Sequence, residues 1–104
     1  MSISERYRQL VADLMAAIKQ IEDEGSSERA MQVLRNGADM LEEHVESVGE
    51  IPRMRIEQDL SPVLLDAHNL LDRGRLLLTE GEFESHAALV WDLQQMLYRL
   101  LNDL

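Results

Sequence analysis

Carboxylates are the side chains in this sequence best equipped for chemistry. Glu42, Glu43 and Glu46 fall in one run, Glu42-Glu43-His44-Val45-Glu46, and Asp66 follows in Asp66-Ala67-His68-Asn69. On a helix, Glu42 or Glu43 shares a face with Glu46. Hard carboxylate oxygens in that arrangement suit Mg²⁺. Three histidines, His44, His68 and His86, add imidazole. A di-iron carboxylate bundle needs Glu three residues before its His. Those positions hold Leu41, Leu65 and Phe83, so the histidines predict no metal site. With no cysteine, thiolate sites and disulfides are excluded. There is no glycine-rich phosphate loop, no G-x-S-x-G elbow and no basic aromatic patch for nucleic acid.

Three resemblances follow from these and neighbouring residues. The E-E-x-x-E run with the later D-x-x-N resembles the acidic signature of the MazG-type nucleotide pyrophosphohydrolases. That resemblance implies an all-α dimer in which Glu42, Glu43, Glu46 and Asp66 hold Mg²⁺ against a triphosphate. Here Asp66 stands for a Glu and Asn69 for an Asp, and Pro52 and Pro62 interrupt the stretch between. Ala67-His68-Asn69-Leu70 resembles the phosphorylatable segment of histidine phosphotransfer modules. Leu71-Asp72-Arg73 takes the place of the Lys and small residues expected after it. Arg73-Gly74-x-x-Leu77-x-x-x-Gly81-x-Phe83 resembles the middle of a tetratricopeptide unit. In that unit Gly lets two helices approach and the Gly-x-aromatic turn reverses the chain. Ala87 falls one place late and no second copy exists, so the implication is a tight hairpin and not a solenoid. Similar hairpins occur in small acidic flagellar and type III export chaperones, a likeness of architecture alone.

The elements that must position these residues are helices. Ser2 with Glu5 forms a capping-box pattern, and Tyr7, Val11, Leu14, Ile18 and Ile21 recur at helical spacing, predicting a first helix over 3–23. Gly25-Ser26-Ser27 stops it and caps the next. Met31, Leu34, Ala38, Leu41, Val45 and Val48 predict a second helix over 28–48, with Gly37 marking a bend or a close helix crossing. Residues 50–60, bracketed by Pro52 and Pro62, fit either a packed linker or the front of a longer helix kinked at Pro62. Ser61-Pro62 reads as the start of a third helix ending near Thr79, and Glu80-Gly81 as a turn. The fourth helix, from Glu82 onward, carries two apolar stripes plus Trp91 and Tyr98, too wide a surface for one seam. The surplus predicts an interface through Leu89, Trp91, Leu93, Met96, Tyr98 and Leu100, in a homodimer or a partner groove.

Composition sets the class. The 104 residues form one domain, with 45% hydrophobic, 29% charged and only 4% aromatic residues. A leucine-rich, aromatic-poor apolar set favours helix packing over sheet packing. The fold expected is all-α: an antiparallel four-helix bundle in up-down-up-down order, with a tight hairpin between the third and fourth helices, dimeric. Net charge is −10, with one lysine, Lys19, among ten basic residues. That balance argues against binding a phosphate backbone or an anionic membrane, and suits a partner with a basic surface. The first residues lack the apolar core of a signal peptide, and no apolar run reaches membrane-spanning length, so a cytoplasmic home is expected. Up-down order should bring Arg73 and Arg75 beside Glu22–Glu24, and Arg6, Arg8, Arg53 and Arg55 beside Glu42, Glu43 and Glu46. The function expected is a non-catalytic protein–protein interaction module, an adaptor, export-chaperone-like protein or inhibitory binder, with no cofactor. The Mg²⁺-dependent pyrophosphohydrolase stands as the alternative.

Overall fold

A computed structural model describes all 104 residues. Four helices account for most of the chain: α1 (Ile3–Glu24), α2 (Glu28–Glu42), α3 (Ile56–Glu80) and α4 (Glu84–Asn102). Two single 3-10 turns, Val48–Glu50 and Arg53–Arg55, join α2 to α3, and there is no strand. Each helix packs on two others: α1 on α2 and α4, α3 on α2 and α4. No helix is long and apolar enough to cross a membrane.

The first half follows the local signals closely. Ser2 Oγ accepts from the Glu5 backbone N–H at 3.1 Å, and Glu5 Oε1 accepts from the Ser2 N–H at 3.4 Å, closing the capping box. Tyr7, Leu10, Val11, Leu14, Ile18 and Ile21 are all buried. Gly25 turns out of α1 with φ 81°, a conformation that costs glycine nothing, and Ser27 Oγ caps α2 by accepting from the Ala30 N–H.

α2 stops at Glu42, six residues before Val48. The backbone then tightens: His44 N–H donates to Leu41 O, and Val45 N–H to Glu42 O. Arg8 on α1 serves the freed backbone beyond the stop: its Nε donates to the Val45 carbonyl at 3.0 Å. Val48 remains buried, so the turn still delivers the side chain the apolar periodicity called for.

α3 begins at Ile56, and Pro62 lies inside it. Proline there cannot donate to the carbonyl of Gln58. Both residues are exposed, so water can take the donor's place. Leu60 is buried, and its burial holds the extra turns in helical form.

Glycine sets the α2–α3 distance. A Cβ added at Gly74 would sit 2.5 Å from Leu34 Cδ2 and 2.7 Å from its Cγ, and one at Gly37 would meet Leu70 and Leu71 at 3.4 Å. Both glycines face the neighbouring helix, so Gly37 marks a close crossing. At the α3–α4 hairpin, Phe83 N–H donates to Leu78 O and Glu82 N–H to Thr79 O. These are the two bonds of a Schellman stop. Its left-handed residue is Glu82, at φ 65°, and not Gly81. Gly81 serves another need: a Cβ there would lie 3.0 Å from the Phe83 ring.

α4 buries more of itself than one stripe. Ala87, Val90, Leu93, Leu97 and Leu100 all enter the core, because α4 packs against α1 on one side and α3 on the other. Leu93 and Leu100, expected at an interface, therefore finish the chain's own core.

Candidate functional site

The carboxylates with the Mg²⁺-like spacing do not converge. Glu42 ends α2, Glu43 and Glu46 lie in the turns beyond it, and Asp66 projects from α3; all four are exposed. Because α2 stops at Glu42, the shared helix face on which that reading depended does not form. Nowhere does the chain gather three or more His, Asp or Glu side chains in a metal-binding arrangement.

The histidines separate as well. His44 lies in the turn after α2. His86 is buried in the first turn of α4, with Nε2 2.8 Å from Glu24 Oε1 and Nδ1 3.3 Å from Ser26 Oγ. Its ring stacks on Phe83 at 5.8 Å and 4°. Room for that stack comes from Gly81, so His86 ties the α3–α4 hairpin to the α1–α2 turn. The hydrogen bond with His86, and then one from Gln20, hold the Glu24 carboxyl below its ordinary pKa.

The expected ion pairs form with other partners. Glu22 meets Arg35, Arg6 meets Asp103 at 2.9 Å and Arg55 meets Asp59 at 3.4 Å. Arg75 turns away from Glu22–Glu24 toward α4, and Glu42, Glu43 and Glu46 have no basic partner. The arginines that do pair take an acceptor on their own helical turn or on an adjacent element.

The most distinctive surface is the face shared by α3 and α4. Trp91 is 47% exposed, Tyr98 51%, Leu65 52% and Leu76 49%. Between these apolar corners lies a polar network. Arg75 Nε donates to Gln94 Oε1 at 2.9 Å, an Arg75 terminal nitrogen meets Asp72 at 2.7 Å, and Gln94 Nε2 donates to the same Asp72 oxygen at 3.0 Å. Gln94 is fully buried, and both ends of its amide are satisfied. Hydrogen bonds from Arg75, then Gln94, hold the Asp72 carboxyl below the usual carboxylate range, which keeps it ionised and the network intact near neutrality.

That network fixes an aromatic surface. The Arg75 guanidinium carbon lies 5.1 Å from the Trp91 ring centroid, a cation–π contact, and His68 lies 6.3 Å from Tyr98 in a tilted pair. Trp91 and Tyr98 are thus exposed yet held, the state in which a contact residue loses least entropy when a partner arrives. Of the residues expected at an interface, Trp91 and Tyr98 stand on this face, and Leu89 and Met96 are half-buried against the core. Sequence reasoning missed Leu65, Leu76 and the Asp72–Arg75–Gln94 network. The two leucines left a signal: with Asp72 they lie seven and eleven residues apart, one stripe off the core stripe of α3.

No protein-family model, curated protein or solved structure matches this chain.

Proposed function

We propose that this chain is a non-catalytic protein–protein interaction module whose contact surface is the α3–α4 face. The observation that carries the reading is the pair of half-exposed aromatics, Trp91 and Tyr98, braced by Arg75 and His68. Trp, Tyr and Arg are the residues most enriched at the energetic centres of protein interfaces. The chain as a whole is acidic, with a net charge of −10. That excess favours a client protein with a basic surface, as an adaptor, export-chaperone-like protein or inhibitory binder would meet. The reading places the chain in the cytoplasm, consistent with a cysteine-free sequence. It takes the bundle as up-down-up-down, supported by the bond from Tyr7 near the start of α1 to Leu41 near the end of α2, and by Arg75 lying against Trp91 across the hairpin.

Site-specific photo-crosslinking tests this. A photoreactive residue at Leu76 or Gln95 should capture a protein, whether another molecule of this chain or a different one, in an extract of its own host. Trp91→Ala with Tyr98→Ala should cut that capture by about tenfold or more, the scale of losing interface anchors. Capture of no protein at either position, or capture indifferent to the aromatic substitutions, contradicts the reading.

A further inference from the structure

Resting on that reading of the α3–α4 face, we infer that its occupant is a second copy of this chain, related by a two-fold axis that crosses α4 at the level of Gln95. A chain of net charge −10 meets its own copy with least repulsion where its surface is locally neutral. On this face the central acid and base, Asp72 and Arg75, already neutralise each other.

The face also has an internal symmetry. Arg75 against Trp91, Asp72 against Gln94 and His68 against Tyr98 fix one register between the two helices. In that register the midpoint of Leu65 and Leu76 falls level with Gln95 and Met96. The midpoint of Asp92 and Arg99 falls at the same level, and that of Trp91 and Tyr98 one residue away. The face is therefore arranged about a single line.

Rotating a copy about that line brings α3 side against α3 side with the helix directions reversed. Trp91 then meets Tyr98 of the second copy, Leu76 meets Leu65 of the second copy, and each contact occurs twice, as an isologous interface requires. Asp92 and Arg99, two helical turns apart on the outer ridge of α4, are both exposed and form no ion pair within the chain. The same rotation sets Asp92 against Arg99 of the second copy, twice.

Sedimentation of the purified chain over a concentration series tests this, with circular dichroism confirming that each variant is folded. Wild type should sediment at twice 11.9 kDa in the micromolar range. Asp92→Arg alone and Arg99→Asp alone each create two like-charge contacts and should weaken the dimer by about tenfold or more. Combining the two restores opposite charges and should recover it. A wild type that stays at 11.9 kDa at every concentration overturns the inference, as does a dimer that ignores the single swaps or is not rescued by the pair. A monomer that still crosslinks a different protein through Leu76 or Gln95 overturns only this inference and leaves the interaction-module reading standing.

Discussion

Leu34→Ala lowers the unfolding free energy by about 2–5 kcal/mol, the range for emptying a fully buried leucine site. It also reverses the sign of a second substitution. Leu34 is wholly buried and fills the space that Gly74 leaves on α3. In the wild type, Gly74→Ala pushes a Cβ to 2.5 Å from Leu34 Cδ2 and 2.7 Å from its Cγ. Leu34 cannot swing aside within a closed core, so the helices must part, at about 1–3 kcal/mol. The better helix propensity of alanine returns about 1 kcal/mol of that, leaving a net loss of up to about 2 kcal/mol. With Leu34 already alanine the clash is gone, and the new methyl occupies part of the cavity. Gly74→Ala then stabilises, by about 1 kcal/mol. Urea unfolding of the two single variants and the double variant reads this coupling directly. Additive free energies would contradict the close α2–α3 approach.

Tyr7→Ala lowers stability by about 3–5 kcal/mol, comparable to removal of other buried aromatics. Against a total of about 5–15 kcal/mol for a domain, that loss is large. Tyr7 is fully buried near the start of α1, and its hydroxyl donates to the Leu41 carbonyl at 2.5 Å. The side chain thus joins core packing to the end of α2. Tyr7→Phe keeps the ring and removes only the hydrogen bond. Leu41 O still accepts from the His44 N–H, so the cost at neutral pH is about 0.5–1.5 kcal/mol. The phenol also gives the pair a pH signature. Burial, and then the negative charge of Glu43, raise the Tyr7 pKa well above its ordinary 10. A folded-state pKa above the unfolded one gives stability that is complete below pH 10 and is lost as pH rises beyond it. The loss runs at about 1.4 kcal/mol per pH unit until the folded tyrosine itself ionises. Wild type should therefore lose its advantage over Tyr7→Phe above pH 10. Parallel stability curves for the two proteins through that range would contradict the burial of this phenol.

How much of this was legible in the sequence varies by element. α1 and its capping box were readable because the signal is local: Ser2, Glu5 and a regular apolar stripe act within a few residues of one another. The end of α2 was not, because the turn beyond it is held by Arg8, which comes 37 residues earlier in the chain than the carbonyl it binds. The start of α3 was obscured by Pro62, which removes a donor without forbidding a helix when the carbonyl it abandons is exposed. For α4 the period revealed two apolar stripes but could not say how many neighbours would cover them. With α1 and α3 both packed on it, Leu93 and Leu100 went inside, and Trp91 and Tyr98 stayed out. Asp72, Arg75 and Gln94 left no motif, since their spacing becomes a network only once the α3–α4 register is set. Glu42, Glu43 and Glu46 show the converse, a suggestive spacing that lost its geometry when the helix beneath it ended.

Trp91, the only tryptophan in the chain, shows whether the α3–α4 face is a protein-contact surface. Its fluorescence reports on that face and nothing else. Acrylamide quenching should be strong in the dilute free chain, where the ring is 47% exposed. It should fall sharply, with emission moving to shorter wavelength, when the chain assembles with itself or with a client. Assembly that leaves Trp91 as open to acrylamide as before would rule out a contact role for this face.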